Sequence, residues 1–335
     1  MRLDFAHPET LPNRRVESWK YSDLRAAVRE PLYPTPPMVV EEAPAPFGSA
    51  LTGPLVNLVN GEGPSDLGAI QDVTKLRFLA AADGSAHEAV VAVRVAAGQS
   101  AVLIETHHGH GGTYASQTDL AIVLESGARL ERIVFLDEPE GAVSVVRAKV
   151  TMAAGAGYAQ TVLTSGARLQ RVETHVDHPG GGAQVRLDGI YALAEKRHAD
   201  LTSVVRHEGL NGVTSQLTKG VVRDTARGVF QGKIVVERGA DGTDARMGHH
   251  ALILGERAEV DAKPELEIYA DDVSCAHGNT VGNLDESALF YMQQRGLPAD
   301  EARALLTQAF LIEVVDRIEH EGAREVVREW LEQRL

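Results

Sequence analysis

The chain has one cysteine, Cys275, in 335 residues. It therefore closes no internal disulfide, and Met1 opens no charged segment leading into a long apolar stretch, so the compartment expected is a reducing cytosol. Positive charge is also scarce. Lys+Arg number 33 against 47 Asp+Glu, a formal net charge of −14, and a surface of that sign repels phosphates, which excludes a general nucleic-acid binder. Long hydrophobic runs are missing. Stretches such as Leu120 to Leu124 fall far short of the ~20 residues that span a bilayer, so no membrane span is expected. Aromatic residues make up 5%. No Walker phosphate loop, nucleophile elbow or diagnostic carboxylate pair occurs, and Gly180-Gly-Gly182 leads into no helix.

What is present divides into three textures. Residues 13–30 carry Trp19, Tyr21, Leu24, Ala27 and Val28 at helical spacings before Pro31, which predicts a short N-terminal helix. Eight prolines from Pro31 to Pro64 predict an extended connector. From about Val73 to Val281, short runs alternate with period two, as in Asp119-Leu-Ala-Ile-Val-Leu124, and predict strands. Turn pairs such as Ala97-Gly98, Ser126-Gly127, Asn211-Gly212 and Asp241-Gly242 separate them. No helix of ordinary length interrupts this stretch, which excludes a fold of alternating strands and crossover helices.

Two signs of repetition run through the strand region. Gly98, Gly127 and Gly155 are 29 and 28 apart, and Ser126-Gly-Ala-Arg-Leu-Glu-Arg132 is echoed 39 residues later by Ser165-Gly-Ala-Arg-Leu-Gln-Arg171. Short strands, glycine corners and few aromatics suit a stacked β-solenoid, with a pair of large β-sandwiches as the alternative. With coils of roughly 20 to 25 residues, about eight to ten coils are expected. After Gly282, Asp285 is placed to cap a helix ending at Gly296. Pro298 opens a longer one with an apolar stripe of Ala304, Leu305, Ala309, Phe310, Ile312, Val315 and Ile318. Gly322 punctuates a final helix, and the hairpin is expected to cap the solenoid end. The expected organisation is 1–72, an N-terminal helical region and Pro-rich connector; 73–283, the strand core; and 284–335, a C-terminal helical domain.

Histidine carries most of the candidate chemistry. His107-His108-Gly109-His110 is dense enough to hold a divalent metal on a turn, although a polar turn has the same pattern. His175 and Asp177 share one strand face, where a solvated face is the simpler reading, and His249 and His250 point to opposite faces and form no site. In Asp271-Asp272-Val-Ser-Cys275-Ala-His277-Gly278 an extended backbone puts Cys275 and His277 on one face. Both are ligand types for iron or zinc, yet two ligands do not close a site. On spacing alone the pair reads as a buried thiol beside a hydrogen-bonded histidine.

The run Asp272-Val-Ser-Cys-Ala-His-Gly-Asn-Thr-Val-Gly-Asn-Leu-Asp-Glu-Ser-Ala-Leu-Phe-Tyr-Met-Gln-Gln-Arg-Gly-Leu-Pro-Ala-Asp-Glu-Ala-Arg303 resembles the C-terminal signature of the SufB/SufD family of iron–sulfur cluster assembly proteins. Arg15-Val-Glu-Ser-Trp19-Lys20-Tyr21-Ser-Asp-Leu24 looks like the opening of its SufD-type members. The resemblance implies a right-handed parallel β-helix core flanked by N-terminal and C-terminal helical regions, and a non-catalytic scaffold. It implies pairing with SufB through the last strands, near residues 264 to 281, and with the ATPase SufC through the C-terminal helices. A nascent iron–sulfur cluster would be shared transiently across the SufB edge and not held stably by the isolated chain. By motif position His277 is the candidate metal ligand and Cys275 its neighbour, which reverses the balance for His277 and leaves His107, His108 and His110 unchanged. The alternatives are a SufB-like subunit, a homodimer paired through the same edge, and a β-solenoid carbohydrate-active enzyme.

Overall fold

The structure, a computed structural model, describes residues 2–35, 47, 51–110 and 112–334. Pro36, Pro37, Pro44 and Pro46 of the expected connector lie outside the described residues. The remainder is dominated by two nine-stranded parallel sheets, each built from every second strand of the chain, so that the backbone winds as a β-solenoid of about seven turns. The first sheet ends on strand Glu259–Ile268 and the second on Ser274–Gly282.

The alternation read from the sequence is the alternation of the walls. In strand Tyr114–Leu124, Leu120, Ile122 and Leu124 point into the solenoid and are buried, whereas Val123 faces out. Gly98, Gly127 and Gly155 are corners, with φ of +67°, +66° and +71°, a region that L side chains seldom enter. They stack directly, a Cβ added to Gly127 lying 3.9 Å from the Gly98 Cα.

Several expectations need correction. Coil-to-coil partners from Ser85 onward are separated by between 26 residues, as in Val143↔Leu169, and 32, as in Arg227↔Glu259. The coils are thus longer and fewer than expected, and the glycine spacing was the true period. The 39-residue echo is not a coil repeat, since Leu130 lies in the second sheet and Leu169 in the first. Pairing begins before Val73, because Leu55–Val59 already lies against Asp72–Ala80.

The N-terminal helix shrinks to a 3-10 turn, Glu17–Trp19, and one turn of α-helix, α1 (Leu24–Ala27). Asp23 caps α1 by accepting from the Ala26 N–H at 2.9 Å, which starts the helix too late to continue before Pro31. The segment instead lies over the outer face of the first sheet, where Leu3, Phe5, Leu11, Trp19 and Leu24 pack on Ala115, Val143, Val145 and Leu169.

Three helices follow the last strand: α2 (Glu286–Gln294), α3 (Ala299–Val315) and α4 (Glu321–Glu332). Asp285 caps α2 as expected, accepting from the Ser287 and Ala288 N–H groups. The hairpin does not cap the solenoid end, however. It lies along the outer face of the second sheet, with Leu311, Val314, Val315, Trp330 and Leu331 against Ile133, Phe135, Leu163 and Ile190. That sheet is apolar on both faces, and burial of each large side chain, worth about 1.5–3 kcal/mol, draws the helices there. Buried Asp188 reinforces the docking, accepting from Arg317 Nε at 2.9 Å while Arg317 Nη2 donates to Ser215. The stripe expected on α3 is displaced: Leu305 is exposed, and Ala302, Thr307, Leu311, Val314 and Val315 are buried. Among the described residues no helix is long and apolar enough to cross a membrane.

Candidate functional site: the open last coil

With the helices placed on a broad face, the C-terminal end of the solenoid is left uncovered. Strands Glu259–Ile268 and Ser274–Gly282 each pair on one side only, and neither has a fully buried residue. The turn between them is fixed from the coil below. Asp241 Oδ1 accepts from the Asp271 and Asp272 N–H groups at 3.2 and 3.3 Å, and the Gly242 N–H donates to the Asp272 carbonyl at 2.6 Å. Gly242 is required there, with φ +74° and a Cβ position 2.2 Å from Asn211 Oδ1. The Ser274 N–H then donates to the Thr243 carbonyl and starts the strand.

Register assigns the side chains to faces. Cys275 lies beside Ala245, His277 beside Met247 and Asn279 beside His249. Ala245, Met247 and His249 are all buried in the solenoid interior. Cys275, His277 and Asn279 therefore continue the inward column by one more coil, beyond which none of the described residues covers them. His277 is exposed. Cys275 is half-buried, packing like Leu266, Ala270 and Val273 on the buried cluster that includes Ala245 and Met247, and that burial pushes its thiol above the ordinary range, with the nearby Asp244 charge adding to the effect.

His249 is a residue that sequence reasoning set aside and the structure returns to the site. Its Nδ1 lies 2.7 Å from Asn279 Oδ1 and its Nε2 2.8 Å from the Tyr191 hydroxyl, and its ring stacks on Phe230 at 4.8 Å. An amide oxygen only accepts, so Nδ1 carries the proton and Nε2 accepts from Tyr191. Burial lowers its pKa to about 4, keeping the imidazole neutral while it ties the open strand to the core. His250 points the other way, to Thr280. No sequence signal marked this role, because it depends on which coil lies above.

The other histidines do not converge. His107 points inward, hydrogen-bonded to Glu105 at 2.7 Å and stacked on Phe78, while His108 faces out and His110 is exposed at the strand end. His175 and Asp177 share an outer face as expected, but each has a partner there, Glu173 and Lys149 respectively. Among the described residues no three His, Cys, Asp or Glu side chains come together in a metal-holding group. Cys275 and His277 thus remain two ligand-type groups on one face of an open edge, an incomplete donor set.

The solenoid thus ends on an open coil whose inward column carries two ligand-type side chains. The family model for the SUF system FeS cluster assembly SufBD core domain matches residues 78–310, and the chain belongs to that family of iron–sulfur cluster assembly proteins. Among its relatives, the iron–sulfur cluster assembly protein SufD of Escherichia coli is 35% identical over 178 residues, covering 53% of this chain and 42% of that protein. Protein ABCI7, chloroplastic, of Arabidopsis thaliana is 30% identical over 218 residues, 65% of this chain and 46% of that one. A SufBD family protein of Mycobacterium tuberculosis is 27% identical over 251 residues, 72% and 62% respectively. The match therefore spans about half the length of these curated relatives.

Proposed function

We propose that this chain is a non-catalytic scaffold subunit of the SUF machinery. Its open last coil pairs with a SufB subunit, its C-terminal helices carry the ATPase SufC, and a nascent iron–sulfur cluster forms as cargo at the shared edge. The observation that carries the reading is the exposure of His277 and Cys275 at the end of an otherwise buried column. Edge-to-edge pairing satisfies the open backbone groups and brings the missing ligands from the other subunit. The exposed His277 imidazole is available to metal without rearrangement. The raised thiol of Cys275 makes it the slower ligand, since the thiolate is the binding form. In functional terms 1–72 supplies, through its described residues 2–35, a clasp on the first sheet, 73–283 holds the bulk of the stacked core and 284–335 is the part that meets the ATPase.

Coexpression with SufB and SufC followed by co-purification tests the assembly. Recovery of all three together supports the reading, and recovery of this chain alone contradicts it. Anaerobic reconstitution of the lone chain should yield only substoichiometric iron and sulfide, because one thiol and one exposed imidazole do not enclose a cluster. A stoichiometric cluster on the lone chain would contradict the shared-edge scheme.

A further inference from the structure

A chain of hydrogen bonds runs through the solenoid interior and ends on an exposed side chain. Tyr191 is fully buried, and its ring crosses the next coil to bring the hydroxyl to His249, two coils on. Two glycines clear the passage. Gly220 stands beside Tyr191 on the intervening coil, where a Cβ would lie 1.9 Å from the ring, and a Cβ on Gly228 of the facing sheet would lie 2.5 Å from it. From His249 the chain continues to Asn279 on the open strand.

The direction of the chain follows from its buried end. The Tyr191 hydroxyl has no hydrogen-bond partner besides His249 among the described residues, so a proton aimed elsewhere would be stranded in the core. Tyr191 therefore donates, His249 accepts at Nε2 and donates from Nδ1, and Asn279 must present its oxygen. The amide nitrogen is left as the outer end. It makes no hydrogen bond among the described residues, and its side chain is exposed. An exposed asparagine turns its amide through a broad range of angles, whereas the buried relay fixes this one. On the same face of the strand, about 6.6 Å along it, stands His277.

We propose that Asn279 is a hydrogen-bond donor to the cargo, its Nδ2 amide directed at a sulfide of the cluster forming beside His277, and that Tyr191 and His249 are positioning residues that aim it. This rests on the proposed formation of a cluster at the last coil and adds a residue to that site. Sulfide takes up much of the negative charge that a cluster gains on reduction. An N–H aimed at it therefore stabilises the reduced form more than the oxidised one and raises the reduction potential. Asn279 suits this task because an amide donates without itself competing for iron, which prefers thiolate or imidazole.

The test uses the complex of the full chain with SufB and SufC, reconstituted anaerobically with iron and sulfide, and reads the midpoint potential of its cluster. Asn279→Ala should shift the potential to a more negative value, with the iron content held because no ligand is lost. Tyr191→Phe keeps Asn279 and only frees its amide, so its shift should have the same sign and be smaller. An unchanged potential in Asn279→Ala overturns the donor, and an unchanged potential in Tyr191→Phe overturns the relay. Nitrogen NMR of the imidazoles in the lone chain checks the aim separately. His249 should carry its proton on Nδ1 and lose that preference in Tyr191→Phe; a proton on Nε2 in the wild type overturns the orientation of Asn279. A wild-type complex that forms no cluster contradicts the cargo reading itself, and the imidazole spectrum then still decides whether Asn279 is held.

Discussion

The Arg171 guanidinium sits 4.5 Å from the centre of the Trp19 ring and donates from Nη1 to Asp200 at 2.7 Å. Arg171 and Asp200 have no solvent exposure, and the Ser22 hydroxyl donates to the same carboxylate at 2.6 Å. The segment that resembles a SufD-type opening is thus a clasp that covers a buried ion pair on the first sheet, and Lys263 of the last coil reaches Glu17 at its edge.

Removing the clasp should loosen the N-terminus before the core. Trp19→Ala deletes a buried indole and uncovers the Arg171–Asp200 pair, at a cost of about 3–5 kcal/mol. Limited trypsin digestion should release the first residues from the variant while the strand-rich core persists. Digestion indistinguishable from wild type would show that the clasp contributes nothing.

A second pair lies inside the solenoid. Arg132 and Glu105 are 2.7 Å apart with neither exposed, and Arg132 Nη1 also donates to Gln160. Burial alone would raise the Glu105 carboxyl, but the Arg132 charge and the His107 hydrogen bond hold it below its ordinary value. Arg132→Met should cost about 3–5 kcal/mol by stranding the carboxylate, and adding Glu105→Leu should recover much of that. Urea midpoints measure both; a double variant no better than the single one would contradict this reading of the pair.

Acid should destabilise the fold through its buried histidines. His207 stacks on His178 at 4.3 Å, and burial, with the neighbouring ring adding to it, lowers its pKa to about 3. His198 and His249 are lowered to about 4. Below about pH 6.5 the unfolded chain takes up protons that the folded chain refuses, so stability falls as pH falls, by up to ~1.4 kcal/mol per unit for each such group, and is fully restored above it. His207→Gln should flatten the dependence between pH 4 and 6.5. An unchanged slope would remove His207 from the effect.

The helices make a sharper test of the ATPase contact than their deletion does. Truncation after Gly282 would bare Ile133, Phe135, Leu163 and Ile190 on the second sheet. Phe290 and Tyr291 on α2, by contrast, are exposed and support nothing in the core. Phe290→Ala with Tyr291→Ala should weaken SufC capture at least about tenfold, as loss of aromatic anchors does at interfaces, with circular dichroism unchanged. Undiminished capture would move the contact elsewhere.

How much of this was legible depended on the range of the interaction. Period-two runs such as Leu120 to Leu124 and the glycine corners at 98, 127 and 155 announce stacked strands, because each is decided by neighbours along the chain or one coil away. Asp285 as a cap is equally local. The short N-terminus was not legible, since Trp19 and Ser22 are held by Arg171 and Asp200 far along the sequence. Nor was the seat of α3 and α4, because the outward apolar column of Phe135, Leu163 and Ile190 emerges only once the coils are in register. At the site, the shared face of Cys275 and His277 followed from alternation alone. Their exposure at an uncovered end, and the support of Asn279 by His249, required the stack.

The central claim rests on His277, and His277→Ala tests it most directly. The position is exposed and lies beside Met247 at the open edge, so the substitution opens no interior cavity and removes only a ligand-type group. In cells that depend on the SUF pathway, the complex with SufB and SufC should still assemble by gel filtration while cluster yield falls sharply, and Cys275→Ser should have the smaller effect. Normal cluster yield with His277→Ala would contradict the account.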